Sequence, residues 1–274
     1  IVDYFIIGEA DRTFTGQLKP FFYEENRSKF SKYYDKIIHV KIKDSPKPFA
    51  RNMCWNVEYF QRNALIRGLQ GKANTNDYII LADADEIVNP LCIPQAIAMN
   101  RWTSFELDLY YYYFNIKANQ KGLGPVLARY GSFRNMQQLR YSVNRNPKLS
   151  NGGWHFSFMG GANKIIEKLN AYAETQTNSE EINRQNIINY KIAHGYDLFN
   201  RADLKYEIVE IDQLYPSEVV PFLNKYPSFH LTTDKLEEFK QIKIEGLDLS
   251  KNYTKRSVLF RLLKKIYKKN LRFL

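Results

Sequence analysis

Apolar residues along this chain gather in short runs between polar, glycine-bearing or proline-bearing stretches, and the period of the runs changes. Residues 2–8 (VDYFIIG) have the β-branched and aromatic character of a strand, and a second apolar run occupies Ile37 to Ile42. The polar, aromatic-rich segment between them suits a helix, so the chain is expected to open β-α-β. Two prolines in residues 43–50 break regular structure, and beyond them Met53, Val57, Phe60 and Ala64 recur at helical spacing, predicting a helix packed on the sheet. DYIILA, residues 77–82, is a continuous apolar run of the kind found in parallel strands buried on both faces. Asn89 before Pro90 supplies an N-cap and a proline at the first helical position, which predicts a helix over 90–99.

Residues 104–116 (SFELDLYYYYFNI) predict a long aromatic strand, with the tyrosines at 110–113 assigned to sheet packing. Residues 151–161 (NGGWHFSFMGG) set Trp, His and Phe between two glycine pairs, a punctuation that reads as a binding loop. Residues 162–193 read as mainly helical, and 212–230 as irregular around Pro216, Pro221 and Pro227. No repeat and no clear linker interrupts the chain. Strands alternating with helices predict an α/β fold with one domain over residues 1–250.

Composition changes this picture little until the charge is located. With 274 residues and 44% apolar content the chain can bury a full core. Cys54 and Cys92 are too few for a disulfide framework, which suits a reducing compartment or simple packing. No apolar run approaches the ~20 residues of a membrane span, so a cytoplasmic, soluble or peripheral protein is expected. The net charge of +11 would suggest a nucleic-acid partner if it were spread out, but residues 251–274 hold nine Lys or Arg and no acid. Removing them leaves +2 on the rest, so no nucleic-acid partner is expected. In that tail Val258, Leu259, Leu262, Leu263 and Ile266 share one helical face, predicting a basic amphipathic helix. Such a helix either docks on an anionic membrane surface, here the inner face, or packs its apolar stripe on the domain.

The chemistry-bearing signal is the acidic cluster that ends DYIILA. In an extended chain residues two apart point the same way, so Asp83 and Asp85 present two carboxylates to one side, with Ala84 between them. Such a pair suits Mg²⁺ or Mn²⁺, with water and substrate phosphates filling the remaining positions. Asp-x-Asp arises by chance on the order of once in a chain of this length, so its place at a strand end carries the weight. The competing reading is an acidic turn that caps a helix.

Five ordered motifs then resemble glycosyltransferase family 17: VDYFIIGEADRTFTG, FQRNALI, DYIILADADEIVNP, GGWHFSFMGG and HGYDLFNR, which together run through most of residues 1–201. The resemblance implies a GT-A (Rossmann-like) fold, a mixed central sheet flanked by helices, with a UDP-sugar donor, a divalent metal (Mn²⁺ or Mg²⁺) and inversion at the anomeric carbon. It makes Asp83 and Asp85 the metal and diphosphate pair, and Glu86 a residue that orients the loop or meets the donor sugar. Glu9 becomes a candidate for base or ribose contact, against a solvated strand-end acid. Arg62 and Asn63 become candidates for donor contact, against a surface pair of Arg62 with Glu58. Family members usually carry a further strand and helix before VDYF, so an N-terminal truncation is expected. They also tend to carry a histidine near Glu174 that this chain lacks.

Inverting transfer needs a base for the acceptor hydroxyl. His155 is the first candidate, with metal ligation as its other role, and Glu174 the second. Trp154 is a candidate to stack on a sugar face, against a core position beside Phe156 and Phe158. N-acetylglucosamine is the sugar the family suggests first, and the acceptor would be a glycan or glycolipid hydroxyl. Two other classes use some of the same features: a haloacid-dehalogenase-type phosphatase, which also ends a strand in DxD, and a non-catalytic carbohydrate- or nucleic-acid-binding protein.

Overall fold

The computed structural model describes residues 2–48, 54–171 and 182–247. Met53, Glu174 and the basic segment 251–274 lie outside these described residues. The chain opens with strand β1 (Phe5–Ala10), a short helix α1 (Phe22–Glu25), a run of 3₁₀ turns over Arg27–Lys36 and strand β2 (Ile37–Ile42). β1 and β2 pair in parallel from Phe5↔Ile37 to Ala10↔Ile42. Ala10, Val40 and Ile42 are buried with Ala64 of helix α2 (Trp55–Ala64), so α2 covers the apolar face of this pair, as its spacing predicts.

The remaining strands form one mixed sheet: β3 (Tyr78–Leu81), β4 (Glu86–Val88), β5 (Thr103–Tyr111), β6 (Ile116–Arg129), β7 (Lys148–Ser157) and β8 (Tyr206–Ile208). Its order is β3-β6-β5-β7-β4, with β8 added to β6. Three helices, α3 (Ile93–Ala98), α4 (Met136–Ser142) and α5 (Gly161–Ala171), lie between strands or follow them; α6 (Gln185–Ala193), α7 (Val219–Lys225) and α8 (Thr233–Lys240) complete the described chain. The architecture is the expected mixed α/β sheet flanked by helices.

Two local expectations are corrected. The apolar run at β3 is not a parallel strand; it pairs antiparallel with β6 at one end of the sheet. Both its faces are nevertheless covered, Ile79 and Leu81 by one apolar cluster and Tyr78 and Ile80 by another, and that is why it lacks polar alternation. Residues 151–161 are not a loop: β7 runs through Ser157, parallel to β5 and antiparallel to β4. The glycines that suggested a loop allow strands to approach instead. Gly153 adopts φ 143°, and a side chain there would collide with the Ile87 carbonyl of β4. The aromatic strand ends at Tyr111, where the chain turns through Tyr112, at φ 69°. Over 90–99 the Asn89 side chain accepts the Leu91 N–H, a 3₁₀ turn follows, and α3 completes the helix.

The order of the strands has a geometric consequence. β3 and β4 are consecutive in the chain yet end up at opposite ends of the path β3-β6-β5-β7-β4. On a flat sheet they would be roughly 19 Å apart, beyond the ~17 Å that the chain from Leu81 to Glu86 reaches fully extended. That connection is a tight turn, with Glu86 N–H donating to the Asp83 carbonyl at 3.0 Å. The sheet must therefore curl, and register shifts in β5 against both β6 and β7 supply bends.

Tyr110 to Tyr113 are all buried. Tyr111 and Tyr112 line a cluster filled by Ile165 and Leu169 of α5, Ile188 and Ile192 of α6 and Phe239 of α8. HGYDLFNR closes this end of the molecule. Asp197 accepts from Phe199 N–H, Arg201 and Tyr206 OH, while Leu198 N–H donates to Tyr112 OH. Lys191, 1% exposed, donates to the Leu198 carbonyl and to Asn200 Oδ1. Burial pushes its ammonium down from 10.5 to about 8, against the pull of the Asp197 carboxylate. Above that value the folded protein holds Lys191 neutral while the unfolded chain stays protonated, so stability should rise with pH between about 8 and 10.5, by roughly 3 kcal/mol. Urea unfolding across this range should show the rise in the wild type and lose it in Lys191→Met.

Candidate active site

The acidic turn 82–85 sits where the two ends of the curled sheet meet. Glu86, the first residue of β4, fastens it: the Glu86 amide donates to the Asp83 carbonyl, and the Glu86 carboxylate accepts the Asp83 N–H at 2.9 Å. The Glu86 side chain is 2% exposed. It lies over Gly124 of β6, where any side chain would run into its carboxylate. Arg140 of α4 reaches the same place, donating to both Glu86 oxygens at 3.1 and 3.3 Å, to the Gly124 carbonyl at 2.9 Å and to Asp83 Oδ2 at 2.7 Å. One guanidinium thus joins α4, β6, β4 and the turn. Burial and the Asp83 charge push the Glu86 carboxyl above its ordinary range, although Arg140 pulls it down. The Glu86 carboxylate thus sits between the Asp83 amide and the Arg140 guanidinium.

Arg62 and Asn63 lie at the end of α2 and grip α4. Asn63 Oδ1 accepts the Gln137 N–H at 2.8 Å, and Arg62 donates to Gln137 Oε1 at 2.6 Å, to Glu58 at 2.7 Å and to Asp83 Oδ1 at 3.4 Å. The Glu58 pair and the reach to the acidic turn therefore coexist. Burial opposes the Arg62 charge, but Glu58 and Asp83 outweigh it and raise the guanidinium's pKa further.

Asp85 takes a separate set of partners, because residues 82–85 turn between β3 and β4 instead of continuing the strand. Its carbonyl accepts the Phe156 N–H of β7, its Oδ1 lies 3.5 Å from His155 Nε2, and its Oδ2 accepts from Lys168 of α5 at 2.8 Å. Burial works against the charged form of Asp85, but the His155 hydrogen bond and the Lys168 ammonium prevail and hold its carboxyl well below the usual carboxylate range. His155 reaches this position because it pairs with Glu86 across β4 and β7.

The other sequence candidates divide. Trp154 precedes His155 in the same strand and so points to the opposite face. There it donates to the Leu214 carbonyl at 2.9 Å and packs against the cluster of Tyr110, Phe156 and Tyr215, away from the acidic turn. Glu9, at the end of β1, accepts the Tyr23 N–H with both oxygens and lies 2.9 Å from His39 Nε2, anchoring the segment after β1. Arg140 and Lys168 were missed. Each is an ordinary cation on a helix far along the chain from the turn, and nothing in its local sequence marks it.

Chemically, the turn offers two carboxylates ringed by Arg62, Arg140, Lys168 and His155. Among the described residues no group of three or more His, Cys, Asp or Glu is placed to hold a metal ion. Two hard oxygen donors suit a cation that water and substrate phosphate complete, rather than one caged by protein alone.

The model of glycosyltransferase family 17 matches residues 1–240. The chain belongs to that family. Neither curated proteins nor solved structures give a match. Membership makes this family 17 protein a glycosyltransferase, with a sugar donor and a glycan acceptor, in place of the phosphatase and binding-protein alternatives. Among the described residues no helix is long and apolar enough to cross a membrane.

Removing Arg140 would leave Glu86 buried without its partner, so Arg140→Met should cost about 3–5 kcal/mol of stability. Adding Glu86→Gln should recover part of that loss. Denaturant unfolding of the two variants checks both outcomes.

Proposed function

We propose that this glycosyltransferase moves a sugar, N-acetylglucosamine first, from a UDP-sugar to a glycan or glycolipid hydroxyl with inversion, assisted by Mn²⁺ or Mg²⁺ at Asp83 and Asp85. The observation that carries this reading is the pair of aspartates set in a cationic ring at the meeting of the sheet ends. When bound, the divalent cation supplies charge neutralisation on the departing diphosphate. The chain's own residues do the rest. Asp83 and Asp85 hold the charged, oxygen-rich edge, while Arg62 and Arg140 keep Asp83 in place. Phosphate oxygens entering the turn meet Lys168 as a donor. His155 is the proposed base: Asp85 Oδ1 beside Nε2 favours the tautomer protonated there, which leaves Nδ1 to accept the acceptor hydroxyl proton.

The test is UDP release with a panel of UDP-sugars and Mn²⁺. Asp85→Asn should lower turnover about 100-fold in a protein that melts like the wild type. A wild type that releases no UDP from any sugar, or an Asp85→Asn variant with unchanged turnover, would overturn the reading.

We also propose cytoplasmic attachment to the inner face of the membrane through residues 251–274, whose nine cations and apolar stripe support it. Anionic liposomes should co-sediment the full chain and lose most of it when residues 251–274 are removed. Equal binding of the two forms would exclude the role.

A further inference from the structure

The two aspartates of the turn are held in different ways. Asp83 faces two guanidiniums, and each is pinned elsewhere: Arg140 to Glu86 and the Gly124 carbonyl, Arg62 to Gln137 and Glu58. Neither can leave Asp83 without straining bonds that position α2, α4 and β4. Asp85 is held by a different kind of cation. Lys168 is a compact ammonium on a flexible stem, 37% exposed, and it also lies over the face of the Phe158 ring, 4.8 Å from Nζ to the centroid. It reaches Asp85 from α5, a helix anchored by its buried Ala162, Ile165 and Leu169. The contacts of Asp85 are also divided by atom, with Oδ2 on Lys168 and Oδ1 beside His155.

We propose that Lys168 is an exchangeable counter-ion. Without donor it occupies Asp85 Oδ2 and keeps that carboxylate aimed. When a nucleoside diphosphate binds, the ammonium passes to a phosphate oxygen, and the vacated Oδ2 would be the Asp85 atom that holds an accompanying divalent cation. Asp85 Oδ1 keeps its contact with His155 throughout, and the Phe158 ring supports the ammonium between its two partners. The inference rests on the UDP-sugar reading of this site and adds the order of events at it.

Binding of cation and diphosphate is then mutually dependent. A cation alone must evict an ammonium that has no anion to go to, and a diphosphate alone meets two aspartates. Together each supplies the partner that the other displaces, and linkage requires the two enhancements to be equal.

Isothermal titration of the full chain with Mn²⁺ alone, UDP alone and each in the presence of the other tests this. In the wild type each ligand is expected to tighten the other by about tenfold or more. Lys168→Met should bind Mn²⁺ alone about tenfold more tightly, bind UDP alone more weakly and show less coupling. Lys168→Arg, which retains the charge, should keep the sign of the wild-type coupling. The exchange is overturned if wild-type protein binds Mn²⁺ as tightly without UDP as with it. It is equally overturned if Lys168→Met melts like the wild type yet changes neither Mn²⁺ affinity nor coupling, and in that case UDP binding leaves the proposed activity standing. Wild-type protein that binds no UDP even with Mn²⁺ would bring down the activity and the exchange together.

Discussion

A connection too short for a flat sheet governs this molecule. Because β3 and β4 lie at opposite ends of the strand path but are joined by the turn 82–85, the sheet has to curl until its ends meet. That closure presses β6 against β4 at Gly124 and leaves no room there for a side chain. It also delivers Asp83, Asp85 and Glu86 to one place, three carboxylates crowded at a point where burial disfavours charge.

Acidic crowding of this kind persists only when cations answer it, and the helices around the sheet supply them. Arg62 comes from α2, Arg140 from α4 and Lys168 from α5, while β7 brings His155. The result is a nearly balanced ionic cluster in which Glu86 and Arg140 are architecture and Asp83 and Asp85 face outward at 37% and 30% side-chain exposure. A balanced cluster can be re-paired without much change in total charge. The division of labour also explains why Arg62 serves two ends: its bonds to Glu58 and Gln137 join α2 to α4, and its reach to Asp83 couples that junction to the turn.

Features legible in the sequence were those set by neighbours along the chain. β2 falls on Ile37–Ile42 as its composition predicts, Asn89 caps the turn at Pro90, and the tyrosines at 110–113 pack inside. The acidic turn itself was legible too, because Asp83, Asp85 and Glu86 follow a strand of plain apolar character. What misled was a local signal with two structural uses. The glycines around Trp154 and His155 suggested a loop, yet Gly153 serves close strand approach; the apolar run at β3 suggested a parallel strand, yet two separate clusters cover the faces of an antiparallel one.

By itself, the sequence determined the alternation of strands and helices, the carboxylates at the end of β3 and, through its ordered motifs, the family. Tertiary structure alone decided the partners of those carboxylates. Arg140 is 57 residues from Asp83 and Lys168 is 83 residues from Asp85, and a long-range ion pair leaves no periodicity or spacing for a reader of the chain to find. It was likewise the pairing of β7 with β4, not the adjacency of Trp154 and His155, that turned one side chain toward the acidic turn and the other into the aromatic core, because successive residues of a strand face opposite ways.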